Sequence, residues 1–509
     1  MQVKRACLVI NPRAGANLAK ITDVIAVLSA AGWKTDIAIK EYGGHTKELA
    51  ANAGKKYDLV IGYGGDGTIS QVVNGVMSKK KHNIVGAIPG GTANVWASEV
   101  GIPTDPVKAA LTLINSEPRK VDVGHVAVER LIFPTNDDTP VVQNGRLNGS
   151  RKKNKAKSAP SSDARQNFLL MAGLGIDAAV MGDVSKPLKY KVGTMAVGVA
   201  ALKKLPEQRA FPVELRAVGG GADADLLWHG EALQVVIGNT RRYADVVEMT
   251  PDAYIDDGVL DVCVITAGTP VSNFSQVASL LLRRKPDNAT GQFFHGAHLT
   301  ISVPASIALQ VDGSMVKLKD YVSKADWTAL QDQEDLSKVM VTYCFDAQPK
   351  ALEVEIPTNY NNTLFEDDPH PTDEPEAQKE DTEHLKEENE EPSHHEAKVS
   401  EKVHQESLEA VSTVMKNGRK VTVIGMAPNP AEQGTFIIAG TSPKSTTGEE
   451  QPVAVRVTKQ TQIVTHAGKE LKPDLLLQLR ENEVIVAEGR KSKRYVIDAK
   501  RLVVEDRDF

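Results

Sequence analysis

Asp58-Leu59-Val60-Ile61-Gly62-Tyr63-Gly64-Gly65-Asp66-Gly67-Thr68 reads as a buried strand that runs into a glycine turn and then a helix. The pattern recurs about one βα unit later, in Asn83-Ile84-Val85-Gly86-Ala87-Ile88-Pro89-Gly90-Gly91-Thr92-Ala93-Asn94. Such a turn presents bare backbone N–H groups to an anion. Asp66 stands at the centre of the first turn. A purely electrostatic cradle would avoid a carboxylate there, whereas a site that handles Mg2+ or a hydroxyl proton would use one.

Working outward, Cys7–Ile10 is a further strand, and Asn11-Pro12-Arg13-Ala14-Gly15 follows it. Strand Thr35–Ile39 and helices Leu18–Ala31, Thr46–Lys55, Ser70–Met77, Ala93–Val100 and Pro106–Ile114 complete an alternating run. That run predicts a three-layer α/β nucleotide-binding domain over 1–125, with a parallel sheet. The three loops then meet at the carboxyl edge of the sheet, where open α/β folds bind ligands. No Gly-Lys-Ser/Thr ends either turn, so this is not a Walker A loop, and no acidic residue is placed to hold the ribose of a dinucleotide.

After Lys120 short β-type runs dominate. They predict a largely antiparallel β-sandwich domain over 126–320, with helices Ser185–Leu205 and Val271–Arg284 and a disordered insert at 136–166. Late strands Val339–Phe345 and Leu352–Ile356, within 337–356, are expected to return to the first domain. Residues 357–410, rich in Glu, Asp, Pro and His, read as an acidic disordered linker. Residues 411–509 read as a small OB-like β-barrel with no catalytic constellation and no basic–aromatic stripe.

A chain of 509 residues has room for two to four such units. A net charge of -6 argues against wholesale nucleic-acid binding. The three cysteines, Cys7, Cys263 and Cys344, read as reduced thiols, and no apolar run is long enough to span a membrane.

The order of motifs resembles the diacylglycerol kinase catalytic family, which includes sphingosine kinases and is distantly similar to NAD kinases. The resemblance covers about residues 1–356. It rests on Asn11-Pro12-x-Ala14-Gly15, Gly64–Thr68 followed by Val72-Val73-Asn74-Gly75, and Gly91-Thr92-Ala93-Asn94. Further along it rests on Gly173-x-Gly175-x-Asp177, Gly238-Asn239, Asp256-Asp257-Gly258-x-Leu260-Asp261 and Gln310-x-Asp312-Gly313. The resemblance implies an ATP-dependent lipid kinase that converts diacylglycerol to phosphatidic acid with Mg2+. It implies ATP contacts from Asn11, Pro12, Arg13, Ala14, Gly15, Gly64, Gly65, Asp66, Gly67, Thr68, Gly91, Thr92 and Asn94. It also implies a structural cation held by the Asp257 carboxylate and the carbonyls of Tyr254 and Val259. The expected setting is cytoplasmic and peripheral to a membrane, with a lipid as partner and a homodimer as one available assembly.

The departures are specific. Ser314 stands where the family's general-base Glu is usual, so catalysis falls to Asp66 or Asp312 beside Ser314, or is weakened. Gln71 replaces a common Glu. A catalytically weak or inactive nucleotide- or lipid-binding protein is therefore the alternative reading. An NAD kinase shares the Gly-Gly-Asp-Gly turn but is disfavoured by the later motifs.

Overall fold

A computed structural model describes residues 4–13, 17–79, 83–91, 93–134, 141–144, 166–175, 210–218, 225–243, 247–266, 291–360, 363–366, 409, 411–429, 432–443, 449–493 and 495–506. The expected helices at 185–205 and 271–284 lie outside the described residues, as does most of the insert.

The first domain contains β1 (Arg5–Ile10), α1 (Ile21–Ala30), β2 (Lys34–Ile39), α2 (His45–Ala53) and β3 (Leu59–Gly64). It continues through α3 (Asp66–Met77), β4 (Ile84–Pro89), α4 (Val95–Glu99) and α5 (Pro106–Ile114). The strands pair in parallel in the order β2-β1-β3-β4. Every residue of β3 is buried, as a strand covered on both faces requires. The chain steps one way from β1 to β2 and the other way from β2 to β3. Right-handed crossovers therefore put α1 on one face and α2 with α3 on the other. The helix contacts agree: α5 packs beside α1, and α2 packs on α3. Asp105 caps α5 by accepting the N–H groups of Val107 (2.9 Å) and Lys108 (3.0 Å).

β5 (Ser116–Phe133) then enters the β-rich domain. That domain holds β6 (Val141–Asn144), β7 (Asn167–Phe168), β8 (Met171–Gly175), β9 (Phe211–Ala217), β10 (Asp225–Gly238), β11 (Arg242–Tyr243) and β12 (Val247–Glu248). It also holds β13 (Leu260–Thr266), β14 (Gly291–Gly296), β15 (His298–Pro304), β16 (Leu309–Val311) and β17 (Ser314–Val316). The two expected late strands are one strand, β18 (Met340–Pro357), with a register break between Gln348 and Leu352. β18 runs antiparallel to β5 along both domains and pairs with β4 at Val354–Val85. A single 16-stranded sheet therefore passes through both units, and no break falls at 125 or 337.

Two expectations of disorder are corrected. Val141–Asn144, inside the insert, pairs antiparallel with Arg130–Phe133. Residues 363–366, assigned to the linker, are folded: Leu364 and Phe365 are buried, and the Arg119 guanidinium stacks on the Phe365 ring at 3.3 Å. An adjacent Leu-Phe pair gains enough by burial to hold this stretch down. Cys7 and Cys263 are buried thiols, which burial pushes up to about 11 and about 12, as core cysteines require.

The C-terminal unit is a barrel of β19 (Arg419–Pro428), β20 (Phe436–Pro443), β21 (Glu450–Val457), β23 (Val484–Lys493) and β24 (Val496–Val504), with β22 (Gln462–Thr465) beside β24. Antiparallel pairs join β21-β20-β19-β23-β24, and β24 pairs in parallel with β21, which closes the barrel, and with β22. The closed five-stranded barrel agrees with the small β-barrel expected. The barrel is not a separate bead, however. On β20, Phe436 and Ile438 face the barrel core, while Ile437 and Ala439 join the core of the first domain with Ala454 and Val496. The surface they meet is α1 and α5. The Arg456 guanidinium reaches across to the Ala30 carbonyl at the end of α1 (2.9 and 2.6 Å) and pairs with Asp498. Lys108 of α5 pairs with Glu481 at 2.6 Å.

Candidate active site

The chain reverses direction across the sheet between β1 and β3, and the crevice beyond their carboxyl ends is where α/β sheets bind ligands. Three predicted loops meet there. Asn11 follows β1, donates its N–H to the Tyr63 carbonyl and places its side-chain amide 3.3 Å from the Thr68 hydroxyl. Pro12 and Arg13 are exposed beside it. Ala14, Gly15 and Thr92 lie outside the described residues.

The two glycine turns touch backbone to backbone. A Cβ on Gly91 would lie 2.4 Å from the Gly65 Cα, and one on Gly65 would lie 3.0 Å from the Gly91 Cα. On Gly64 it would strike the Thr68 hydroxyl at 2.4 Å. Glycine is thus required by close approach, and the approach stacks one turn on the other. Asn94 holds the second turn in shape from a left-handed backbone (φ 50). Its side chain accepts the Gly91 N–H (2.8 Å) and donates to the Gly91 carbonyl (2.9 Å).

Asp66 opens α3 but does not cap it. Its Oδ1 accepts the N–H of Trp96 (3.0 Å), in the first turn of α4. Burial raises the Asp66 carboxyl above its ordinary range. The amides of Trp96 and Val95 oppose the rise, and the charge of Asp312 adds to it.

Asp312 and Ser314 arrive from the other domain. Val311 pairs with Ser314 across a two-residue turn, Asp312-Gly313, with φ of 45 and 68. Two positive φ values define the hairpin turn that favours Asp-Gly. The turn carries Ser314 to α3: its hydroxyl lies 3.9 Å from where a Gly67 Cβ would be. Asp312 is buried, and its carboxylate accepts the N–H groups of Leu169 (3.2 Å), Leu170 (2.9 Å) and Met171 (3.3 Å). Three amide donors satisfy the carboxylate and fix its position. Among the described residues, the Gln71 Oε1 and Gln310 Nε2 atoms are buried without a hydrogen-bond partner.

Motif positions outside this cluster tie the domains together. Asn74 donates to the Asn167 carbonyl (2.8 Å) and accepts the Asn167 N–H (3.1 Å), which locks α3 to β7. Asn239 donates to the carbonyls of Asp122 and Leu169, both at 3.0 Å. Glu99 of α4 accepts the Arg242 N–H, while Arg242 bonds Ser98. Sequence reasoning missed Glu99 and Arg242, because their partner lies in the other domain.

The expected cation site is a second acidic locus. Asp257 accepts the Val259 N–H at 3.0 Å in a turn that continues through Gly258 (φ 79). Asp122, which the sequence did not single out, accepts the N–H groups of Gly258 and Lys350. Burial raises Asp257, Asp122 and Asp261, the last to about 7, and neighbouring carboxylates add to each rise. Carboxylates that repel one another fit a bound cation. Among the described residues no three acidic, His or Cys side chains converge on one point. A cation here therefore needs backbone oxygens, such as those of Tyr254 and Val259.

Known proteins resemble both domains. Residues 5–126 match the diacylglycerol kinase catalytic domain, and residues 171–354 match the YegS C-terminal NAD kinase beta sandwich-like domain. The chain is 27% identical over 316 residues to the diacylglycerol kinase of Bacillus subtilis (strain 168), covering 61% of this chain and 90% of that one. It is 28% identical over 265 residues to the diacylglycerol kinase of Staphylococcus saprophyticus, covering 52% and 73%. A crystal structure from Bacillus anthracis str. Sterne, of a protein assigned as a diacylglycerol kinase, shares the fold with a TM-score of 0.50 at 19% identity. It covers 70% of this chain and 97% of that one. Two adjacent domain matches, on a fold with the glycine turns at its switch point, support a lipid kinase similar to the diacylglycerol kinases, a phosphotransferase with an alcohol acceptor.

Proposed function

We propose that this chain transfers the γ-phosphoryl group of ATP to the free hydroxyl of diacylglycerol, giving phosphatidic acid, at a membrane surface. The observation that carries the reading is the meeting of the stacked glycine turns with the Ser314 hairpin over the first turn of α3. There a nucleotide phosphate chain held by the first domain would face a lipid hydroxyl held by the second.

In this reading the amides of Gly64–Thr68 and Gly91 and the Asn11 side chain hold the phosphates, with Ala14, Gly15 and Thr92 completing the cradle. Asp66 sits at the phosphate end. Mg2+, when bound, neutralises charge on the transferring phosphoryl group. Asp257 and Asp122, with the carbonyls of Tyr254 and Val259, hold a structural cation. Ser314 cannot accept a proton near neutral pH. Asp312 is tied up by three amides. The acceptor's proton therefore goes to Asp66, whose basicity burial raises.

Ser314 also favours a second reading, a slow or inactive family member. One experiment addresses both: labelled ATP with Mg2+ and a panel of diacylglycerol, sphingosine and NAD. Diacylglycerol phosphorylation that Asp66→Ala abolishes, in a folded protein, is the expected result. ATP binding without transfer to any lipid would sustain the second reading instead. Transfer to NAD alone would overturn both.

A further inference from the structure

At one end of the barrel, where β19, β21 and β24 begin and β23 ends, a cleft of about 610 Å3 opens between the strands and the first turn of α1. Arg419, Lys491 and Lys493 line it, with Glu450 as the one carboxylate in its wall. The Arg419 Nε donates to the Ser442 hydroxyl at 2.8 Å, which fixes the guanidinium fork. Lys493 bridges the seam, with its Nζ 3.2 Å from the Ser29 carbonyl of α1. Thr22 of α1 and Gln451 of β21 add neutral polar groups.

We propose that this seam is an anion site that takes a phosphate monoester group. Among the described lining residues, three cations against one carboxylate leave an excess of two positive charges. A phosphate monoester carries about −1.5 to −2 at neutral pH, which matches that excess in magnitude. A guanidinium held in place recognises phosphate oxygens in pairs, and lysines supply the remaining charge. A nucleic-acid strand fits poorly. OB barrels commonly bind oligonucleotides on the face of their second and third strands. Here those strands are β20 and β21, whose outer face is buried on α1 and α5. A phosphate in the cleft would bond to the barrel and to α1 together. α1 is joined to the Asn11–Gly15 loop through one short 3-10 helix, Asn17–Lys20, so such a ligand would bear on the helix that continues from that loop. The assignment stands independently of the lipid kinase reading.

The test uses the full chain. Inorganic phosphate is titrated calorimetrically into the natural protein, into Lys491→Glu and into Lys500→Glu. Lys491 and Lys500 are both exposed. Lys500 is outside the cleft and controls for overall charge. Lys491→Glu should weaken one phosphate-binding component by at least about tenfold, since it reverses a charge at contact distance. The Lys500→Glu protein should keep that component, and phosphate binding at the glycine turns should survive in both. Identical titrations for the natural protein and Lys491→Glu would overturn the proposal, as would equal losses in the two variants. Co-sedimentation with phosphatidylcholine vesicles, with and without phosphatidic acid, identifies the source. Lys491-dependent capture by phosphatidic acid makes the ligand a lipid headgroup. Its absence, with free phosphate still bound, makes it a soluble phosphate. Lys491-dependent binding of a single-stranded oligonucleotide in preference to phosphate would replace the proposed ligand and refute it.

Discussion

Gly91→Ala tests whether the stacking of the two glycine turns is what builds the site. The new Cβ would lie 2.4 Å from the Gly65 Cα, which is backbone and cannot rotate away. Carbon atoms meet comfortably at about 3.5 Å, so the turns must part by roughly 1 Å. Overpacking of this kind costs about 1–3 kcal/mol of stability. A displacement of about 1 Å at a reacting centre can cost about 10²-fold in rate. The neighbours provide a graded series. Gly65→Ala meets backbone at 3.0 Å, a milder collision, and Gly67→Ala meets only the Ser314 hydroxyl at 3.9 Å, an ordinary contact. Steady-state ATP turnover with diacylglycerol, alongside urea unfolding, should rank the variants Gly91→Ala worst, Gly65→Ala intermediate and Gly67→Ala near the natural protein. A Gly91→Ala protein with unchanged turnover would refute the argument, as would a Gly67→Ala protein more impaired than Gly91→Ala.

Ser314→Glu should raise turnover, by up to about 10²-fold if the proton acceptor is limiting; an unchanged or lower rate would mean that Asp66 suffices or that the turn rejects the longer side chain. Asp261 gives a pH effect: its folded-state pKa is raised to about 7, so the folded state holds a proton that the unfolded state has already lost. Its contribution is present below the carboxylate range and is lost as pH rises to about 7. Metal-free protein should therefore lose stability across that window, Asp261→Asn should flatten the loss, and added Mg2+ or Ca2+ should restore stability by pairing the cluster; denaturation midpoints against pH would measure all three. Arg456→Ala removes two charge-assisted bonds to the Ala30 carbonyl and should cost about 1–3 kcal/mol. An unchanged denaturation midpoint in that variant would show that apolar contacts alone dock the barrel.

The parts of this molecule written in local sequence were legible. Asp58–Thr68 and Asn83–Asn94 carried both the parallel sheet and the glycine turns at its carboxyl edge, because a buried strand ending in glycine has few other uses. Asp312-Gly313 was legible as a motif, but its geometric meaning was not. Only the pairing of Val311 with Ser314 shows that the turn presents Ser314 to α3. What failed was whatever depends on distant partners. Residues 339–345 and 352–356 read as two strands because the break at Gln348–Leu352 interrupts the alternation, while the long partner β5 keeps them one. Leu364 and Phe365 were hidden in an acidic stretch, since a two-residue anchor leaves no periodicity.

The barrel shows the same limit from the other side, and its docking changes what the molecule is. Phe436-Ile437-Ile438-Ala439 is apolar at every position, which an isolated barrel strand with one solvated face would not be. The unbroken run is the trace of two interfaces, Phe436 and Ile438 turned to the barrel core and Ile437 and Ala439 to α1 and α5. Gly425 fits the same account, since a Cβ there would lie 3.1 Å from Leu111 of α5. The helix that follows the Asn11–Gly15 loop and the short Asn17–Lys20 turn is therefore held between the parallel sheet of the first domain and a second folded unit. Any ligand or substitution that shifts the barrel must move α1 or break this core. The glycine-turn edge of that sheet is for that reason tied, through α1, to a part of the chain more than 400 residues away in sequence.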